Sequence, residues 1–337
     1  MTLRFADSFD HYTDPIQKGW VLLGAGLPTI IGAAARTGIA GMRLNNDNER
    51  VALTLDAQGT WVVGFGFRPA GIRADDIVRT LDAAAEQGVL GVNGDGTLRL
   101  DRAGTTVATS VNALIAGVYY YIEFKHIINN AGGTLEVRVD GAVWATFAGD
   151  TQATANATAN RIALGVTAGL GAVVSYDHDD LYILDGTGGA PFNDYLGDTQ
   201  IECILPDGAG NYAEFANLFG APTHWQACDE VPPDEDASYI DTAVLNDRDT
   251  FTFGNLSVAS ATLRGLQVCM RARKTGAGAA NIARMYRRAG ADHQGANVPL
   301  QTSYAYHLEI LEQDPQAGPG PWTVANVNAA EFGARAT

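Results

Sequence analysis

The chain has 337 residues, 46% of them hydrophobic, which is more than one compact domain usually holds and points to two. Its 38 acidic side chains outnumber 22 basic ones, and the net charge of -16 repels nucleic-acid phosphates and anionic membrane surfaces, so neither is expected as a partner. Only 18% of residues are charged and 39 are glycine, a composition that disfavours coiled coils and helical bundles and favours an all-β chain rich in turns.

The first residues, MTLRFADSFDHYTDPIQKGW, lack the basic and apolar regions of a secretory signal, so export is not expected. VLLGAGLPTIIGAAA is broken by Gly and Pro and is too short to cross a bilayer. TWVVGFGFRP, from Thr60, alternates large and small residues as a strand packed on one face does. Residues 75–87 (DDIVRTLDAAAEQ) carry two conflicting signals. Ile77, Leu81 and the Ala84/Ala85 pair have helical spacing, whereas the surrounding rhythm is that of strand and loop.

Turn chemistry is plain further on. Asn93-Gly94-Asp95-Gly96 joins two short strands in a hairpin, residues 129–133 form the next turn, and Asp140-Gly141 the one after. Between the last two, Leu135, Val137 and Val139 face one side while Glu136, Arg138 and Asp140 face the other. RIALGV and VSYDHDDLYILD add two strands, and the Gly/Pro/Asn-rich stretch at residues 186–197 marks a boundary. The expected organisation is two β-sandwiches of jelly-roll kind in tandem, over residues 1–190 and 198–337, with a linker over 191–197. β-branched and aromatic runs such as DTFTFGNL, LRGLQVCMRARK and TSYAYHLEILE fill the second half.

No nucleophile elbow, zinc-protease helix, phosphate loop or dinucleotide fingerprint is present. The E-x-D-x-x-E strand of sandwich-fold glucanases is missing too, and Glu123 is expected in an ion pair or on an exposed edge. Cys203, Cys228 and Cys269 form no C-x-x-C pair and are expected as buried small hydrophobes. The densest set of metal-ligand types is Asp177, His178, Asp179 and Asp180. Alternation places Asp177 and Asp179 on one face of a strand and His178 and Asp180 on the other. Calcium, with its roughly six to eight oxygen ligands, is the candidate cation for Asp177, Asp179 and Asp180, completed by residues 45–49 or 93–96. The alternative is that these aspartates hydrogen-bond the backbone where the strand begins. No other cofactor is expected.

Among the aromatics, Tyr119 and Tyr121 share one face and Tyr120 the other, which commits part of the set to the core. Trp144 and Trp225 are candidates for stacking on a sugar ring. Residues 271–274 and 284–288 are Arg-rich and suit either an acidic partner or internal carboxylates, and the acidic loop at residues 229–236 is expected at the surface.

Residues 105–151 (TTVATSVNALIAGVYYYIEFKHIINNAGGTLEVRVDGAVWATFAGDT) and DHDDLYILDGTGGAPFNDYLGD together resemble the concanavalin A-like, or laminin G-like, half of structural proteins of tailed bacteriophages. The likeness continues through IECILPDGAGNYAEF, DEVPPDEDASYIDT and NVNAAEFGARAT. The resemblance implies a non-enzymatic virion component of fibre, neck, tail or capsid surface. It would be assembled in the host cytoplasm as a homo-oligomer, a trimer by preference, against other virion proteins. The second reading is a receptor-recognition module of a phage fibre that binds a host-surface glycan. The third is a glycan-cleaving enzyme on the same fold.

Overall fold

The computed structural model describes residues 2–45, 48–165, 174–316, 318 and 320–337. Two compact units result, Met1–Ile201 and Glu202–Thr337.

The first unit is a sandwich of two antiparallel sheets built from β1 (Leu3–Asp7), β2 (Val21–Leu22), β3 (Thr29–Ile31), β4 (Gly41–Leu44), β5 (Arg50–Gln58), β6 (Thr60–Pro69), β7 (Asp75–Asp82), β8 (Ala85–Val92), β9 (Thr97–Arg102), β10 (Thr105–Ala113), β11 (Tyr120–Ile127), β12 (Gly133–Val139), β13 (Ala142–Gly149), β14 (Ala159–Gly165) and β15 (Tyr176–Leu184). An eight-stranded sheet runs β13-β12-β11-β6-β15-β4-β3, with β1 also paired to β15. A seven-stranded sheet runs β10-β9-β8-β7-β14-β5-β2.

Register defines the core. His126 pairs with Trp61 and Leu135, Phe124 with Val63 and Val137, and Ile122 with Phe65 and Val139, so one row of each strand turns inward. From the opposite sheet Val78, Leu90, Leu98, Leu100, Ile162 and Leu164 meet them, all within a percent of complete burial. The sheets approach closely at Gly88, where an added Cβ would lie 2.7 Å from His126 Cε1. His126 is the polar tie across this core. Its Nε2 faces the Thr151 carbonyl at 3.2 Å and its Nδ1 the Thr80 hydroxyl at 2.8 Å. A carbonyl only accepts, so Nε2 carries the proton and Thr80 donates to Nδ1. Burial lowers the His126 pKa to about 4 and keeps the ring neutral.

The turns follow their chemistry. Asp140 and Gly141 take φ values of 49° and 80°, the left-handed pair that a two-residue hairpin requires. Residues 75–87 resolve as strand, turn and strand, with Ala83 at φ 52° between β7 and β8. The pairing with β14 and β9 overrides the helical propensity of the alanines.

The second unit is also all-β. A six-stranded sheet runs Pro206–Ala213, Arg248–Phe253, Glu331–Ala336, Asn281–Arg288 and Ala291–Gln294, with Val298–Pro299 added beside Asn281–Arg288. Leu266–Ala272 pairs with Ala305–Leu311, and Asn217–Phe219 with Tyr239–Asp241. Tyr286, Trp322, Val327, Ala330 and Phe332 form its core. The arginines of residues 271–274 and 284–288 are met by carboxylates of the same unit, among them Arg273 by Asp236 at 2.7 Å, Arg284 by Glu309 at 2.9 Å and Arg288 by Asp314 at 2.6 Å. The cysteines depart from expectation. Cys228, just after the turn Trp225–Ala227, is exposed, and Cys203 and Cys269 are half-buried.

Candidate functional site

The outer face of the eight-stranded sheet holds the aspartates singled out by type. Asp177 is 1% exposed and takes Arg43 Nε on Oδ1 at 2.6 Å and Arg68 Nε on Oδ2 at 2.9 Å. The Arg68 guanidinium in turn lies over the Tyr119 ring at 4.7 Å. Asp179 Oδ2 accepts the Arg36 and Thr37 backbone N–H groups at 2.6 and 3.0 Å. Asp180 accepts Arg36 Nη1, the Thr37 hydroxyl and the Ile201 N–H.

Strict alternation fails at this point. Asp180 adopts φ 50° inside a register shift between Asp179 and Tyr182, and the bulge turns its carboxylate to the same side as that of Asp179. Burial, reinforced by the Asp180 charge, raises the Asp179 pKa to about 7. The oxygens of all three aspartates are thus engaged by guanidinium, hydroxyl and backbone donors. Among the described residues no cluster of three or more His, Cys, Asp or Glu is placed to hold a metal ion. Of the loops expected to complete a calcium site, Asn46 and Asp47 lie outside the described residues. Asp95 receives the Thr97 N–H and hydroxyl.

Glu123 is neither an edge residue nor part of an ion pair. It is 1% exposed, accepts the Tyr182 hydroxyl, and takes the Gly197 N–H at 2.9 Å. Tyr182 also accepts the Leu196 N–H at 3.1 Å. Residues 191–197, expected as a linker, therefore lie on this sheet with Phe192 and Leu196 buried. Trp144 on β13 is half-buried, edge-on to Tyr120 with ring centroids 6.2 Å apart. Trp225, in the second unit, opens the short 3-10 turn Trp225–Ala227.

The seven-stranded sheet presents a different surface. Ala163 pairs with Ala52 and Arg79, and Arg161 with Thr54 and Leu81, so these six side chains share the outer face while Val51, Val78, Ile162 and Leu164 point inward. Ala52, Leu81 and Ala163, with Leu23 packed on them, make an apolar floor. Arg50, Arg79, Ala84, Glu86 and Arg161 join Leu23 and Leu81 in lining a recess of about 220 Å³.

The guanidiniums there are only partly satisfied. Arg50 donates to the Leu23 carbonyl at 3.3 Å and Arg161 to the Thr54 hydroxyl at 3.1 Å. Arg79 is 8% exposed, its Nε is 4.0 Å from Asp76 Oδ2, and its Nη2 meets no partner. A buried donor left unpaired costs on the order of 1–3 kcal/mol. Burial lowers the Arg79 pKa, with Asp76 opposing the shift and Arg50 adding to it. Burial raises Glu86, and the Asp76 charge raises it further. Asp76 is itself raised by burial, against the pull of Arg79 and Arg99. The charged row continues onto β9, where Arg99 grips Asp76 and reaches Asp101 at 2.8 Å. Two carboxyls biased toward protonation beside an under-satisfied arginine form a set capable of proton transfer.

Sequence reasoning passed over this set because its members come from four strands, and the segment holding Arg79 and Glu86 carried the competing helical signal. Assigning that segment as strands puts Arg79 and Leu81 on one face by alternation alone, which was the available clue.

No family model matches the chain and no curated protein matches it. Solved structures similar to it include an endo-beta-1,4-glucuronan lyase from the fungus Trichoderma reesei, 12% identical over 54% of this chain and 95% of that one, with a TM-score of 0.42. The cellulose induced protein Cip1 is 15% identical over 53% and 96%, with a TM-score of 0.42. The alginate lyase Aly36B is 10% identical over 44% and 81%, with a TM-score of 0.33. The first unit is a β-sandwich of two antiparallel sheets, as expected from the sequence. The virion reading receives no support, and the expectation of a non-enzymatic structural protein is corrected: the similar structures include polysaccharide lyases and sialidases.

Proposed function

We propose that the chain is a carbohydrate-active protein that engages a polysaccharide on the outer face of the seven-stranded sheet and cleaves it there. One observation carries this reading. Glu86 and Arg79 line the same apolar-floored recess, and Asp76 acts electrostatically on both. In hydrolysis a carboxyl gives its proton to the departing glycosidic oxygen as the C–O bond breaks, water adds at the anomeric carbon and releases its own proton to solvent, and the adjacent guanidinium holds the substrate. Leu23 and Leu81, which line the recess, offer the C–H face of a sugar ring an apolar surface.

The test is a panel of polysaccharides, neutral glucans together with alginate and glucuronan, incubated with the chain and followed by polymer length. Shortening of at least one polymer, lost in Glu86→Gln, is the expected result. A chain that shortens none of them refutes the reading.

A further inference from the structure

The recess has a charge that runs against the rest of the molecule. In a chain of net charge -16, three arginines, Arg50, Arg79 and Arg161, line it with a single carboxylate, Glu86. On the eight-stranded sheet, by contrast, Arg36, Arg43 and Arg68 all spend donors on aspartates. Here Arg79 Nη2 and Arg50 Nε are buried without an acceptor. Guanidiniums left this way, at the edge of a low-dielectric floor, are matched by an anion from outside the chain.

We propose that this recess is a subsite for the anionic substituent of an acidic sugar, a carboxylate or a sulfate ester, with Arg50, Arg79 and Arg161 as its ligands. The inference rests on the polysaccharide reading and adds the class of substrate. Its size agrees: about 220 Å³ is below the roughly 300 Å³ at which sites for drug-sized ligands begin, so one ring of a polymer enters and its neighbours lie along the sheet. The sugar's C–H face meets Leu23 and Leu81 while its anionic edge turns to the arginines. Glu86 shares that lining, and burial together with the Asp76 charge raises its pKa, which lessens its repulsion of an anion.

The experiment is calorimetric titration of the whole chain with three probes: alginate oligosaccharides, sulfated galactan oligosaccharides and neutral cello-oligosaccharides, each at low and high salt. Acidic oligosaccharides are expected to bind more tightly than neutral ones and to weaken with salt, and whichever acidic class binds identifies the substituent. Arg161→Gln and Arg50→Gln, separately, are expected to weaken binding about 10-fold or more each. Their folding is checked by unchanged melting temperature. Glu86→Gln is expected to bind acidic oligosaccharides as well as the unaltered chain or better. Neutral oligosaccharides binding as well as acidic ones, with both arginine variants silent, would overturn this inference and leave the polysaccharide reading standing. Absence of binding to all three probes, with no polymer shortened, would overturn both.

Discussion

Arg79 and Asp76 form a long ion pair within one strand: Nε and Oδ2 stand 4.0 Å apart, and Arg79 Nη2 has no hydrogen-bond partner among the described residues. Asp76 also holds Arg99 and lends its charge to Glu86. The pair is tuned through space and not through a hydrogen bond.

The effect of Asp76 on the recess is therefore electrostatic and shows in pH dependence. Asp76 raises the Glu86 pKa, so Asp76→Asn lowers it. If protonated Glu86 is the acid, cleavage declines as pH rises through its pKa. Rate–pH profiles of the Asp76→Asn variant should show that decline at lower pH than the unaltered chain, and an unmoved limb would refute the coupling.

Three histidines of the first unit, His126 and His178 buried and His11 half-buried, make its stability sensitive to acid. Burial lowers His11 to about 3 and both His126 and His178 to about 4. In the unfolded chain each protonates near 6.5, so the unfolded state binds more protons below that value and stability falls as pH drops from about 6.5 toward 4. Asp179, raised to about 7, acts in the opposite sense, since its burial as the acid is favoured as pH falls. His178 isolates the first effect. It stacks on Phe65 at 5.4 Å and neither ring nitrogen completes a well-aligned hydrogen bond. His178→Phe should match or exceed the unaltered chain in melting temperature at pH 5 and lose less on going from pH 7 to pH 5.

Close approach of the sheets at Gly88 predicts a steric penalty. A methyl there meets His126 Cε1 at 2.7 Å and Nδ1 at 2.8 Å, and the ring is fixed by Thr80 and Thr151. Gly88→Ala should destabilise the first unit by about 1–3 kcal/mol, read from denaturant midpoints.

Tyr182→Phe tests how the segment at residues 191–197 is held. The hydroxyl bridges Glu123 and the Leu196 N–H, and its removal leaves a buried carboxylate with one donor fewer. A loss of about 1–3 kcal/mol is expected, with faster hydrogen exchange at Leu196 and Gly197 than elsewhere in the unit.

The first unit was legible where chemistry is local. Asp140-Gly141 and the 93–96 turn announce themselves by residue type, and the alternation of Leu135, Val137 and Val139 fixes which face of β12 is core. Features that depend on tertiary pairing were not legible. The bulge at Asp180 follows from how β15 meets β6, and the settling of residues 191–197 depends on Tyr182 and Glu123 offering polar partners far away in sequence. The recess was invisible for the same reason, since Arg50, Arg79 and Arg161 meet only after β14 inserts between β7 and β5. Composition also misdirects, because an overall charge of -16 conceals a local excess of arginine.

The most direct measurement is polymer shortening by the unaltered chain and by Glu86→Gln, on alginate or glucuronan beside a neutral glucan, with binding recorded in parallel. The account predicts cleavage of an acidic polymer that falls at least about 100-fold in Glu86→Gln while binding persists. Undiminished cleavage in Glu86→Gln, or binding without cleavage by the unaltered chain, would contradict it.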